Sequence, residues 1–284
     1  MTTPPPPPPP ESPLERALAR VAHAGEGTLD DTIVPTRFPS LDRAVRGGFR
    51  RGELIVLGAD DGAGASALAL GIALRCTPRA LLVTGEMREE RVFERALAIS
   101  AKVELESMQL GVLSEEERAR VAIIAPSVRE WAPAVDTMTR GGTDVLWTAH
   151  DRVPTAPLVI IDGIETFLAR DFEVADALAG ILLEVKRFAL ERNVAVLALS
   201  HLPALDRTRP DKRPRLSDFG ARGAAGMHAD LVLGLFREEM YDADVAVTGA
   251  AELSLLKHRD GALGYVDLYF TAKWLRFQDV LDLD

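Results

Sequence analysis

The chain has 284 residues, 47% of them hydrophobic and 27% charged, with a formal net charge of -10 and one cysteine. Such a chain holds one large or two small globular domains, and its acidity argues against a general nucleic-acid coat while leaving room for a local basic channel. The lone Cys76 excludes an intramolecular disulfide and fits a reducing compartment; with no run of membrane-span length and no basic-then-apolar leader, a cytoplasmic location without a membrane partner is expected.

Pro4 to Pro10 form an unbroken proline run, which favours extended polyproline II. It reads as a disordered spacer, with a ligand for a proline-binding module as the alternative. Ser12-Pro13 reads as a helix start, Ser12 capping and Pro13 in the first helical position. Leu14, Leu18 and Val21 then share a face. The expected division is a proline-rich disordered arm over residues 1–12, a short helix and linker over 13–35, and one domain over 36–284. Ser40 is a candidate cap for a short helix that Gly47-Gly48 would end.

Glu53 to Ala59 contains an Ile-, Val- and Leu-rich run that reads as a buried strand, and Ala67 to Arg75 is built of strong helix formers. Between them Ala59-Asp60-Asp61-Gly62-Ala63-Gly64-Ala65-Ser66 occupies the frame G-x-x-x-x-G-K-[ST] of a phosphate-binding loop, whose amides and helix N-terminus cradle phosphate oxygens. The expected binding residues are Gly62, Gly64, Ala65 and Ser66, with the Ser66 hydroxyl able to sit on Mg²⁺. The lysine of the motif is Ala65. Two unit charges roughly 4 Å apart at an effective dielectric of about 20 attract by about 4 kcal/mol, so its loss weakens binding and raises the barrier to phosphoryl transfer. Two readings stay open: an inherited turn no longer used for hydrolysis, which is preferred, and a working P-loop.

Ala80 to Met87 reads as a second buried strand ending at Glu86, and Arg88 to Ser100 as a helix. Ser114 before Glu115, Glu116 and Glu117 marks another helix start. Val121 to Ala125 fits a third strand, and Trp131 to Pro157 has no clear periodicity. Leu158 to Asp162 is a strand ending in a carboxylate, Asp176 to Arg192 a long helix, and Val194 to Ser200 a strand followed by His201. A proline-broken loop then carries Arg207, Arg209, Lys212, Arg213 and Arg215. Strands over Asp230–Phe236, Ala251–Lys257 and Gly264–Phe270 close the chain, the last alternating as a one-sided strand does. Strands alternating with helices imply an α/β domain with a largely parallel sheet, and ligands of such sheets sit at the carboxyl ends of the strands. The P-loop, Glu86, Asp162 and His201 all fall at such ends.

From about Thr36 onward the chain resembles the C-terminal motor domain of the DnaB-type replicative helicases, within the RecA-like group. The resemblance rests on an ordered set of segments. It begins with Phe38-Pro-Ser-Leu-Asp42 before Gly47-Gly48, the P-loop frame, and Gly85-Glu-Met87 with Arg95 downstream. Val159-Ile-Ile-Asp162, Ala198-Leu-Ser-His-Leu202, Asp211-Lys-Arg-Pro214 and Ser217-Asp218 follow. Ala229-Asp-Leu-Val232 and Lys257-His-Arg-Asp-Gly261 with Gly264 complete it. RadA- and KaiC-like proteins share the early segments; the last one favours the DnaB type. The resemblance implies a RecA-like P-loop NTPase fold with a mostly parallel central sheet and antiparallel C-terminal strands. It implies ATP with Mg²⁺ as cofactor, weakly held or lost here, with Ser66 and Asp162 on the metal and Glu86 activating the attacking water. Lys257 and Arg259 would reach the γ-phosphate bound by a neighbouring subunit of a ring. The Arg207 to Arg215 loop would contact single-stranded DNA, and helicase or replication proteins become candidate partners. The departures are Ala65, His201 where the family usually has glutamine, and Gly220 and Gly226 where its pattern is polar or charged. The family's N-terminal domain is replaced by the proline run and one short helix.

Each of these residues also has a plainer reading. Glu86 and Asp162 could cap helices, His201 could be a satisfied strand-end histidine, and the basic run could be a solvated loop. Lys257 and Arg259 could pair with acidic surface. The functions that follow are a DnaB-family protein impaired in hydrolysis and acting in DNA-related assembly or regulation, an active helicase or translocase using a substitute cation, and a scaffold recruiting partners through its N-terminal arm.

Overall fold

A computed structural model describes residues 12–23, 30–138, 141–168, 174–203, 205–220, 223–242, 244 and 247–282. The proline run lies outside the described residues. The chain divides into two compact units, residues 1–33 and 34–284.

The first unit contains α1 (Pro13–His23). The Glu15 amide donates to Ser12 Oγ at 3.1 Å and the Ser12 amide returns a bond to the Glu15 carboxylate at 2.6 Å, so the expected cap is a reciprocal box.

Two short strands, β1 (Ile33–Val34) and β2 (Phe49–Arg50), flank α2 (Pro39–Ala44). A nine-stranded sheet forms the body of the second unit. Its members are β3 (Leu54–Ala59), β4 (Leu81–Thr84), β5 (Ala134–Thr137), β6 (Leu158–Asp162), β7 (Ala195–His201), β8 (Leu231–Phe236), β9 (Ala250–His258), β10 (Gly264–Thr271) and β11 (Arg276–Asp279). Their spatial order is β11-β10-β9-β8-β3-β7-β6-β4-β5. The pairings from β8 through β3 to β5 are parallel, and those from β8 out to β11 are antiparallel. A parallel strand covered on both faces needs apolar side chains in both directions, and β3, β4, β6 and β8 are buried at every position. β10 instead alternates buried and exposed positions along most of its length, as its sequence suggests.

One face of the sheet packs on α3 (Ala65–Ala73) and α4 (Glu89–Ala101), through Leu68, Leu70, Ile72, Val92 and Ile99. The other packs on α7 (Asp144–Arg152) and α8 (Val174–Arg192), through Leu178, Leu182, Val185 and Phe188.

Three expectations are corrected. Val121–Ala125 is no strand: it lies inside α6 (Glu115–Trp131), launched by a capping box between Ser114 and Glu117. Five apolar residues in a row do not distinguish a strand from a helix segment, and the box upstream decides for helix. The stretch without periodicity contains β5 and α7, and a fourth C-terminal strand, β11, follows the three expected. Ser40 caps nothing, because α2 begins at Pro39. Its amide and hydroxyl donate to the two carboxylate oxygens of Asp279, at 2.6 and 2.7 Å.

Candidate nucleotide site

The carboxyl ends of β3, β4, β6 and β7 point the same way in a parallel sheet, which brings the loops after them to one edge. There they line a cavity of about 610 Å³ containing Gly62, Gly64, Ala65, Ser66, Glu86, Asp162 and His201. Seven of the residues singled out in the sequence thus share one site.

The loop after β3 turns on Gly64, whose φ of +100° places it in the left-handed region at the N-cap of α3; a side chain there is strained. Ala65 follows where the motif has lysine, and only its amide is left to offer a phosphate. The Ser66 hydroxyl donates to Asp162 Oδ1 at 2.7 Å. Burial raises the Asp162 pKa, and the charge of Glu86 adds to the rise against the opposing bonds from Ser66 and Thr84 and the charge of Arg95. A divalent cation between the serine and the carboxylate would relieve that burden, so this pair fits Mg²⁺. Gly163, at φ +82°, lies under Glu86: a Cβ there would stand 2.3 Å from Glu86 Oε1.

Both P-loop aspartates are engaged. Asp60 is gripped by the guanidinium of Arg207 and by the Tyr241 hydroxyl, which donates to it at 2.9 Å. Burial disfavours the Asp60 carboxylate, but these donors outweigh it and hold its pKa below the usual range. Burial, and Asp60 beside it, push Tyr241 up to about 12. Asp61 is 78% exposed at its side chain and lies 2.8 Å from His201 Nδ1. His201 Nε2 stands 3.4 Å from Glu86 Oε1, so the imidazole bridges the P-loop and the strand-end carboxylate. Burial works against the imidazolium, yet Glu165, Asp61 and Glu86 together raise its pKa above the ordinary histidine value.

Sequence reasoning missed Glu165 and Arg237. Glu165 accepts from Ser200 Oγ at 2.7 Å and from the His201 amide at 3.1 Å, with a pKa that burial raises. Arg237 follows the last residue of β8; it is buried over the Phe270 ring, donates to the Gly62 carbonyl at 3.2 Å and pairs with Glu239. Its place just past the end of a parallel strand was the available signal. Arg95 also lines the cavity, and among the described residues its guanidinium has no hydrogen-bonding or ion-pair partner.

The basic loop is divided. Arg209 makes a two-pronged pair with the buried Asp218, at 2.8 and 2.7 Å, and Lys212 donates to the Arg209 carbonyl. Arg213 pairs with Glu252 at 2.9 Å and packs over Phe236, while Arg215 stands 3.7 Å from Asp211. Arg207, Arg213 and Arg215 remain exposed; Arg209 and Lys212 face inward.

Lys257 and Arg259 are elsewhere. Because β9 runs antiparallel, Lys257 pairs with Val232 at the start of β8, and Val232 with Val56 early in β3. They sit at the opposite edge of the sheet from the P-loop: at about 3.3 Å per residue, Lys257 lies about 10 Å back along β3 from Ala59, and Arg259, beside Asp230 and Leu54, about 17 Å. Lys257 Nζ donates to the carbonyls of Gly226 and Ala229. Burial lowers its pKa, helped by the nearby charge of Arg259. Among the described residues no group of three or more histidines, cysteines, aspartates or glutamates could hold a metal, and no helix is long and apolar enough to cross a membrane.

The sequence model described as DnaB-like helicase C terminal domain matches residues 33–279. The chain is 28% identical over 262 residues to the replicative DNA helicase DnaC of Bacillus subtilis, a match covering 87% of this chain and 57% of that protein. The chain spans about half the length of the curated relatives it matches. Among solved structures, a DnaB-like replicative helicase described with its interactions with primase aligns at TM-score 0.84 and 22% identity, over 95% of this chain and 67% of the other. A KaiC-like protein from Pyrococcus horikoshii aligns at TM-score 0.59 and 14% identity, over 87% and 98%. At these identities the structures speak for fold alone, and the fold is the RecA-like one expected, with its C-terminal antiparallel strands.

Proposed function

The chain belongs to the family of DnaB-like helicase C-terminal domains, and on that premise we propose that it keeps a nucleotide site impaired in ATP hydrolysis and acts in DNA-related assembly or regulation. The observation that carries this reading is Ala65, the motif's missing cation in a cavity that still gathers Gly64, Ser66, Glu86 and Asp162. Ser66 and Asp162 stand bonded to each other where a bound Mg²⁺ would be shared. Glu86 stands across the cavity where it would orient a water, and the turn at Gly64 presents its amides to a phosphate. Bound Mg²⁺ would supply charge for the phosphate oxygens. Without the lysine, charge developing in phosphoryl transfer goes partly unmatched.

Full-length protein is expected to bind Mg²⁺-ATP weakly and to show no steady turnover by a coupled phosphate-release assay, with or without single-stranded DNA. Steady turnover that collapses in Glu86→Gln would overturn the proposal.

A second reading, an active translocase with a substitute cation, is favoured by Arg95, a pocket cation that makes no hydrogen bond or ion pair among the described residues. Arg237 is a poorer substitute because Glu239 neutralises it. On this reading Arg95→Ala weakens Mg²⁺-ATP binding by about tenfold in calorimetry, the worth of one charge-assisted contact. Binding unchanged in Arg95→Ala removes the candidate.

The proposed partners are further copies of the chain, single-stranded DNA and replication proteins. The edge carrying Lys257 and Arg259 cannot reach the chain's own cavity, which supports their acting on the site of a neighbour. Of the cations in the basic loop, Arg207, Arg213 and Arg215 are the exposed ones that would meet nucleic-acid phosphates, in exchange for their ion pairs with Asp60, Glu252 and Asp211. A scaffolding role for the N-terminal arm rests on sequence alone.

A further inference from the structure

Asp230 is buried at the start of β8, beneath the edge that carries Arg259. One carboxylate oxygen accepts from the Leu54 amide at 2.8 Å and from Lys186 Nζ at 2.6 Å. The other faces Arg259 Nε at 3.0 Å. The backbone is fastened at the same place, since the Arg259 amide donates to the Asp230 carbonyl and the Asp230 amide to that of Leu54, both at 2.8 Å. Lys186 also donates to the Gly52 carbonyl at 2.7 Å. Asp230 therefore joins three elements at a single buried carboxylate: the start of β3, helix α8 and the turn after β9.

The manner of holding Arg259 is specific. A guanidinium carries five donors in a planar fork, and Asp230 makes its nearest approach, an ion pair at 3.0 Å, on the Nε side. The side chain is 51% exposed, and among the described residues its two terminal nitrogens make no hydrogen bond. A guanidinium ion-paired on its Nε side, with no hydrogen bond at its outer edge, is oriented for two-pronged recognition of a phosphate or carboxylate. The grip also removes most of the rotamer freedom that an exposed arginine would lose on binding. Lys186 supplies the second positive charge, so Asp230 stays balanced when Arg259 engages an outside anion.

We propose that Asp230 is a positioning residue that presents the outer edge of Arg259 to a nucleotide phosphate held by a second copy of the chain. The proposal rests on the reading that Arg259 acts on a neighbour's site. The Leu54 contact gives it a further consequence: load on Arg259 passes to the first residue of the strand whose far end carries the chain's own P-loop.

The test uses full-length protein and a fluorescent Mg²⁺-ATP analogue, titrated at protein concentrations on both sides of the assembly transition set by analytical ultracentrifugation. Where the native site binds too weakly to titrate, the series is run in the Ala65→Lys background. Affinity is expected to rise about tenfold on assembly, the worth of one charge-assisted bidentate contact. Arg259→Ala and Asp230→Asn should each lose that rise, and the pair together should lose no more than Arg259→Ala alone. Arg259→Lys, exposed and tolerated by the fold, should lose it too, because an ammonium paired with Asp230 has no second edge to offer.

If Asp230→Asn does not fold, Asp230→Asn combined with Lys186→Met removes the stranded buried charge and is read in its place. A full rise in Asp230→Asn or in Arg259→Lys, with Arg259→Ala still losing it, overturns the positioning role alone. Additive losses in the combined variant do the same, because Asp230 would then act through the strand and not through Arg259. A rise that persists in Arg259→Ala overturns the neighbour-site reading, and the positioning role falls with it.

Discussion

Ala65→Lys is expected to strengthen Mg²⁺-ATP binding by about 30-fold, read by calorimetry against the native chain. A cation at the terminal phosphates contributes up to about 4 kcal/mol at an effective dielectric of about 20; solvent access to the open mouth leaves about 2 kcal/mol, or about 30-fold. The surroundings favour the gain. Asp60 is already matched by Arg207 and Tyr241, and Asp61 lies against His201, so neither carboxylate is an unpaired charge in wait for the new ammonium. Ser66, Asp162 and Glu86 need no rearrangement. If the substitution leaves binding unchanged, the missing lysine is not what limits the site. The bridge from Asp61 through His201 to Glu86 then becomes the feature to remove.

Arg209→Met is expected to cost about 3–5 kcal/mol of folding stability, measured as a drop in the urea midpoint at unchanged slope. Asp218 is buried and its carboxylate takes both prongs of Arg209 together with the Arg215 amide at 2.8 Å. Removing the guanidinium leaves a carboxylate in a dry place with only two charge-neutral donors, the Arg215 amide and the Ser217 hydroxyl. Arg207→Met and Arg215→Met, whose side chains are more than half exposed, should change stability by less than about 1 kcal/mol. A small effect of Arg209→Met would mean that the pair contributes no more than a surface bridge.

The two substitutions mark where the sequence was readable. Seven site residues could be placed because the sheet is parallel: a strand that ends at Asp162 or His201, or two residues before Glu86, must deliver it to the edge where the P-loop lies. The same logic reaches Arg237 after β8, had β8 been counted with the parallel strands. Helix α6 was misread because Val121–Ala125 is apolar in composition but, apart from Val128, α6 buries little; it is a peripheral helix with an accidental run. β5 was invisible for the opposite reason, an edge strand whose residues are only partly buried and so show no apolar signature. No pattern in the basic loop separates Arg209 from Arg207. That difference is made by Asp218 and Asp60, and pairings of charge across a fold leave no periodic trace.

Asp279 has a consequence for how this unit can be cut and joined. It lies in β11, the outermost strand, and takes both the amide and the hydroxyl of Ser40 near the start of the unit. The first helix and the last strand are thereby buttoned to each other through a carboxylate that is itself buried. Such an arrangement suits circular permutation: a short linker across that junction would keep the button fastened, and new termini could be opened at the exposed residues 109–112. A deletion that stops short of Asp279 does the reverse, undoing α2 from a distance of more than two hundred residues.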